Sequence, residues 1–214
     1  MALSKNEIVE LYRRRAGRYD LSANLYYLLG FREYAYRRQA VAALELGPGE
    51  VVVEIGCGTG LNFHYLHRAV GPSGRIVGVD LTDRMLQQAR ARVKRSGWTN
   101  VELVQTDAAL YELPPRVDGI LSTFALTIMP EFEQVIERSA RALKPGGRFA
   151  LLDLKRPEDM PRWLEWLGIW VTRPFGVTRD LLDRRPWEAM QRHFASTWMK
   201  EYFWRIAYLC VGES

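Results

Sequence analysis

The sequence predicts an α/β fold built on a largely parallel sheet, and three observations predict it. From Val51 onward, short β-rich runs alternate with longer helical ones, as strand–crossover–strand units require. The helical runs close at stop signals, "GPSG", "GW" and "KPGG". The final two β-rich runs, "TWMKEYFW" and "RIAYLCVG", follow each other too closely for a crossover helix, so they pair antiparallel.

Each element has a local reason. The predicted parallel strands are 51–55, 75–80, 101–105, 117–122 and 147–154, all rich in Val, Ile, Leu or Phe. Helices are predicted over 61–70, 83–96 and 131–143, with Pro130 opening the last where its missing N–H costs little. Ahead of the sheet, Ser4 and Glu7 form a capping box, and a longer helix is expected over 24–44. A helical insert follows the fifth strand, with Trp163, Trp166, Leu167, Trp170 and Val171 on one side. The expected organisation is one domain over 1–214: an N-terminal helical lid (1–46), a ligand-binding core (47–156), the insert (157–187) and a terminal hairpin region (188–214).

Composition narrows the class. The chain has 214 residues, 48% hydrophobic and 26% charged, the profile of a globular domain with a sizeable core. No apolar run reaches the ~20 residues of a bilayer span, and "MALSKNEIVELYRRR" lacks a signal peptide's apolar centre. Two cysteines, Cys57 and Cys210, give no disulfide framework, so a reduced, cytoplasmic protein is expected. The first forty residues hold eight Lys/Arg against four acids, +4 of a net +5. Such a patch suits an anionic surface, lipid or nucleic acid, and a solvated helix face accounts for it equally well.

The stretch "VVVEIGCGTG" carries the chemistry. A glycine loop after a strand suggests a phosphate cradle, yet Glu54 sits two residues before the first glycine and would repel a diphosphate. The loop also misses the dinucleotide spacing by one residue. A ligand with positive charge near the loop fits better. Asp80, ending the second strand, is placed for the two hydroxyls of a ribose. Asp107, just past the third strand, is placed for an adenine amino group. An amino-acid head, a ribose and an adenine without phosphate describe S-adenosylmethionine.

"VVVEIGCGTG", "VGVDLTDRML", "QTDAALYELP" and "ALKPGGRFALLDLKRP" together resemble, in order and spacing, the motifs of class I S-adenosylmethionine-dependent methyltransferases. The resemblance covers roughly 47–157. It implies a Rossmann-like three-layer sandwich with a seven-stranded, mostly parallel sheet whose last strand is antiparallel. It also implies roles. Gly56, Gly58 and Gly60 would let the backbone approach the methionine moiety, with Glu54 beneath it and Cys57 lining the loop by its main chain. Asp80 would hold the ribose, Leu81 and Met85 would cover the adenine, and Asp107 with Ala108 would meet its edge. Ser122 and Thr123 would face the methionine portion.

Methyl transfer from a sulfonium needs alignment above all, and a general base only where the acceptor loses a proton. No metal is expected: His64 and His67 share a helix face without a third ligand nearby in sequence. Residues 16–31 resemble the N-terminal segment of enzymes acting on quinone precursors and phospholipid amines, which makes Tyr19 the candidate lid residue and Tyr12 the second. Asp153, ending the fifth strand, is the other catalytic candidate, to orient an amine or accept a phenolic proton. "STFALTIMP" lacks the pattern of enzymes that methylate base nitrogens, which argues against a nucleic-acid substrate. The expected partner is a small, hydrophobic or lipidic acceptor reached at an anionic membrane surface. A soluble small-molecule acceptor, with the tryptophans lining a pocket, and a non-catalytic S-adenosylmethionine-binding module stay open beside it.

Overall fold

A computed structural model of the chain describes residues 5–17, 30–157, 181 and 183–214. One seven-stranded sheet organises them, in the order β3-β2-β1-β4-β5-β7-β6. The strands are β1 (Val51–Ile55), β2 (Arg75–Asp80), β3 (Val101–Gln105), β4 (Val117–Thr123), β5 (Leu143–Leu154), β6 (Ser196–Tyr202) and β7 (Ala207–Glu213). Every pairing from β3 to β5 is parallel, and β7 runs antiparallel to both β5 and β6. The expected Rossmann-like three-layer α/β class, with a single reversed strand at the end, is what the chain adopts.

The described helices are α1 (Lys5–Arg15), α2 (Glu33–Ala42), α3 (Phe63–Val70), α4 (Asp83–Ser96), α5 (Phe132–Ala142) and α6 (Pro186–His193), with one 3-10 turn at Leu126–Ile128. Strand alternation assigns the two faces. Val53, Val77, Ile120, Phe149 and Leu151 pack with Val135 and Ile136 of α5 and Met190 of α6. Their neighbours Val52, Ile76, Leu121, Ala150 and Leu152 pack with Val41 of α2, Leu66 of α3 and Leu86 of α4. Both faces are buried, which is why these strands read as continuous apolar runs. Each fully buried large apolar side chain contributes roughly 1.5–3 kcal/mol.

Four expectations need correction. The helix expected over 24–44 begins only at Glu33, because Gly30 turns the chain with φ 84°; residues 24–29 lie outside the described part. β5 starts four residues early, at Leu143. Its pairing with β4 steps from Val117–Leu143 to Gly119–Arg148, so "KPGG" forms a bulge, with Gly146 at φ 77°. The hairpin turn occupies 203–206, where strand was expected. Phe203, Trp204 and Arg205 all take left-handed backbone (φ 45°, 60° and 67°), and the Ile206 N–H closes on the Phe203 carbonyl at 3.0 Å. The third helix gives up Leu143 to β5. The Ser4 cap and the tryptophans of the insert fall outside the described residues, and no described helix is long and apolar enough to cross a membrane.

Candidate active site

The strand order reverses between β1 and β4, and at such a switch point a crevice opens beyond the carboxyl ends of the strands. Here the loop after β1 forms its floor. Gly56, Gly58 and Gly60 have φ of 69°, 55° and 77°, a region that penalises any side chain. A Cβ on Gly56 would lie 2.4 Å from that of Ala125, and one on Gly60 would lie 2.5 Å from the Phe63 ring. At Gly58 a Cβ would meet nothing within 4 Å among the described residues, because this residue faces the crevice. The N–H groups of Gly56 and Cys57 donate to the Val79 carbonyl at 2.8 and 3.0 Å, tying the loop to β2.

The crevice is open to solvent on one side and is lined by the loop after β1, the ends of β2 and β3, the loop after β4 and α1. Nine of the expected residues line it: Gly56, Cys57, Gly58, Asp80, Leu81, Met85, Asp107, Ala108 and Thr123. Asp80 Oδ2 accepts the Gly58 N–H and its Oδ1 the Thr82 N–H, both at 2.8 Å. Burial raises its pKa, against these backbone bonds. Asp107 Oδ1 accepts the Ala109 N–H at 2.9 Å, and Oδ2 accepts Lys5 Nζ at 2.6 Å. Burial pushes the Asp107 carboxyl up, but the Lys5 bond and charge with the backbone donor outweigh it, and its pKa falls below the ordinary value.

Glu54, Gly60, Ser122 and Asp153 do not line the crevice. Glu54 lies one layer below it, 1% exposed, with Asn62 Nδ2 donating to Oε1 at 2.6 Å. Its Oε2 has no hydrogen-bond partner among the described residues. Burial raises its pKa to about 8, with Asn62 and Arg37 pulling the other way. Asn62 also donates to Thr123 Oγ1 at 2.9 Å, and Arg37 Nη1 donates to that same oxygen. Glu33, one turn back on α2, accepts Arg37 Nη2 at 2.7 Å. A polar chain therefore runs from Glu33 through Arg37, Thr123 and Asn62 to Glu54. Ser122 is fully buried beside it, its hydroxyl unpartnered among the described residues.

Asp153 is 3% exposed and its oxygens serve the backbone: Oδ2 accepts the Thr127 N–H at 2.9 Å, Oδ1 the Leu154 N–H at 2.8 Å. Burial raises its pKa to about 6. It fixes the 3-10 turn whose last residue, Ile128, lines the crevice together with Met129 after it. Tyr19 lies outside the described residues. Tyr12 lines the crevice from α1, with Lys5, Ile8 and Val9, one helix face at spacings of three, four and seven. That spacing is present in "KIVY" of "KNEIVELY" and was the signal to read. Arg37 and Asn62 had none: one is a cation among eight, the other an amide in a helix start.

The molecule is an α/β domain with an open crevice at its switch point, in which a glycine loop stands over an acid and further acids end β2 and follow β3. Residues 52–147 match the methyltransferase-domain family. A demethylmenaquinone methyltransferase of Listeria welshimeri is 30% identical over 129 residues, 60% of this chain and 54% of that protein. An arsenite methyltransferase of Halobacterium salinarum is 32% identical over 117 residues, 54% of this chain and 30% of that protein. An S-adenosylmethionine-dependent methyltransferase of Aquifex aeolicus shares the fold at TM-score 0.57 and 20% identity, over 83% of this chain and 88% of that one. Over residues 52–147 the chain is similar to methyltransferase domains, and its fold is shared with a methyltransferase of known structure. It spans about half the length of the Listeria relative it matches.

Proposed function

We propose that this protein binds S-adenosylmethionine in the crevice and transfers its methyl group to a small, hydrophobic or lipidic acceptor, a phospholipid amine or a quinone precursor. The observation that carries the reading is the partnerless Oε2 of Glu54 beneath the glycine loop. Glu54 sits a layer beneath the crevice, tied through Asn62 to Thr123 on its wall, and a carboxyl in want of a donor there supports a cationic amino-acid head over a diphosphate. Glu54, Ser122 and Thr123 are assigned to that head, Gly56, Cys57, Gly58 and Gly60 to the loop around it, and Asp80 to the ribose. Leu81, Met85, Asp107 and Ala108 are assigned to the adenine.

When bound, the cofactor supplies an activated methyl on a sulfonium. What the chain supplies is alignment and exclusion of water: α1 covers the crevice with Ile8, Val9 and Tyr12, and the loop after β4 closes its other side. Tyr19 is proposed as part of that cover, and residues 1–46 as the lid over a core spanning 47–156. Asp153 is proposed to act through the 3-10 turn, as a positioning residue. The demethylmenaquinone and arsenite relatives support a small acceptor. The cationic N-terminal segment and the tryptophans of the insert support an acceptor met at an anionic membrane surface.

Titration calorimetry with S-adenosylhomocysteine and with NAD tests the cofactor: binding of NAD alone sinks the reading. Release of S-adenosylhomocysteine against a panel of lipid and phenolic acceptors tests the transfer. Sedimentation with anionic vesicles at low salt tests the surface, and a protein left in the supernatant removes it.

A further inference from the structure

The sheet ends at β6, and that edge is open: β7 lies on one side and, among the described residues, no strand lies on the other. Free N–H and C=O groups along such an edge are a template for another strand, and proteins ordinarily blunt them with a bulge, a proline or an outward lysine. β6 has none of these in working order. Its ladder with β7 runs from Ser196 to Tyr202 without a register shift, and it contains no proline. Its one lysine, Lys200, is engaged within its own copy, Nζ donating to Gln39 Oε1 at 3.0 Å and lying 5.4 Å from the Tyr202 ring. Of the five exposed large apolar side chains among the described residues, three gather here. Trp198 (48% exposed) and Met199 (41%) stand on β6, and Trp204 in the turn after it.

The strand is also complementary to itself. Two antiparallel copies related by a two-fold axis normal to the sheet keep the same face upward, so one residue sits on the axis and opposes its own counterpart. Centring on Lys200 sets two ammonium groups directly opposite, and like charges there repel. Centring on Trp198 overlaps only five of the seven residues. Centring on Met199 pairs all seven, so that Trp198 opposes Lys200, Thr197 opposes Glu201 and Ser196 opposes Tyr202, each twice. Those pairs set an ammonium beside an indole and a hydroxyl beside a carboxylate, with no like charges opposed.

We propose that the protein forms a two-fold dimer through β6, with Met199 on the axis and the two seven-stranded sheets joined into one. The occupant of the edge is a second copy of this chain. No residue of β6 lines the crevice, so the dimer stands apart from the methyltransferase reading. A seam of this length is a small interface, which makes the association concentration-dependent.

The test is sedimentation velocity on the full chain over a wide range of concentration, where a dimer is expected to grow in as the protein is concentrated. Met199→Lys sets like charges on the axis and is expected to weaken the dimer at least tenfold with the melting temperature held. Mixing it with Met199→Glu is expected to restore association, because opposite charges then meet. Cross-linking fixes the register. It needs a Cys210→Ala background, since Cys210 is the cross-strand neighbour of Met199 in its own copy. There Met199→Cys is expected to form a disulfide between copies on mild oxidation. Thr197→Cys, roughly 13 Å from its counterpart in this register, is not. A monomer at every concentration overturns the proposal, as does a dimer that Met199→Lys leaves intact. Equal cross-linking of the two cysteines overturns the register.

Discussion

Lys5 and Asp107 meet across the mouth of the crevice, Nζ to Oδ2 at 2.6 Å, and the same ammonium reaches Glu131 Oε1 at 2.8 Å. Further along α1, Arg13 Nε lies 2.8 Å from Asp83 Oδ1 on α4. α1 buries none of its own residues, so these ion pairs and the edge of the crevice hold it. Partly exposed pairs contribute about 0–1 kcal/mol each and weaken with salt. On the proposed adenine role of Asp107, an arriving ligand amino group competes with Lys5 for Oδ2.

Ligand exchange should therefore depend on ionic strength through Lys5. Stopped-flow release of S-adenosylhomocysteine is expected to accelerate about two- to fivefold in Lys5→Ala, the factor that one pair of this kind supplies. Added salt should speed release in the wild type and do so less in the variant. Identical salt dependence in the two proteins would remove Lys5 from the gate.

Glu54 makes a different forecast, in stability. Its pKa is raised from 4.5 to about 8 by burial, so between those values the folded protein holds a proton that the unfolded chain has lost. Stability consequently falls as pH rises through that window, at up to about 1.4 kcal/mol per pH unit. Asp153, raised from 3.8 to about 6, adds the same sign at the acid end. Glu54→Gln keeps the shape and an acceptor for Asn62 while removing the titration. Thermal melts at pH 5, 7 and 8 should show a shallower decline in the variant than in the wild type. Parallel declines would place Glu54 in a more hydrated setting.

Much of this molecule was readable from residue order, and the exceptions have physical causes. β1, β2, β3 and α4 fall where Val/Ile-rich runs and the "DRML…KRS" periodicity put them, because local pattern meets no competitor there; β1 and β2 are also buried on both faces. The β6–β7 turn was hidden because "FWRI" contains no turn residue; Phe203, Trp204 and Arg205 take left-handed backbone there instead, the last two exposed to solvent. Motif spacing brought Asp80, Asp107, Gly56 and Gly58 to one crevice. It could not tell a residue on the wall from one that is buried and off it, as Glu54 and Asp153 are. Arg37 and Asn62 join the Glu54 layer from α2 and the start of α3, through contacts 25 and 86 residues apart that no local pattern encodes.

Gly56 carries two burdens, a left-handed backbone and a close neighbour, whereas Gly97 carries only the first. φ is 69° and 68° at the two sites, but an added Cβ meets Ala125 at 2.4 Å in one and nothing within 4 Å in the other. Gly97→Ala is expected to cost about 1–2 kcal/mol, the left-handed penalty alone. Gly56→Ala should cost a further 1–3 kcal/mol or so from overpacking, and displace the loop after β4. Denaturant melts of the pair measure the difference; equal losses would mean that Ala125 moves aside freely.

Asp80 has two possible jobs, and the structure suggests how to separate them. Its oxygens already accept the N–H groups of Gly58 and Thr82, so it shapes the loop whether or not a ribose is present. Asp80→Ala should weaken S-adenosylhomocysteine by about 1.5–3 kcal/mol if a charged hydrogen bond to the ligand is lost, roughly ten- to a hundredfold. Loop damage alone could mimic that loss. A 2′,3′-dideoxy analogue closes the cycle, because it offers no hydroxyls for the carboxylate to hold. Direct contact requires the wild type to prefer the hydroxylated ligand and Asp80→Ala to lose most of that preference in calorimetry. A preference that survives the substitution would leave Asp80 as scaffold for the glycine loop, with the ribose held by other groups.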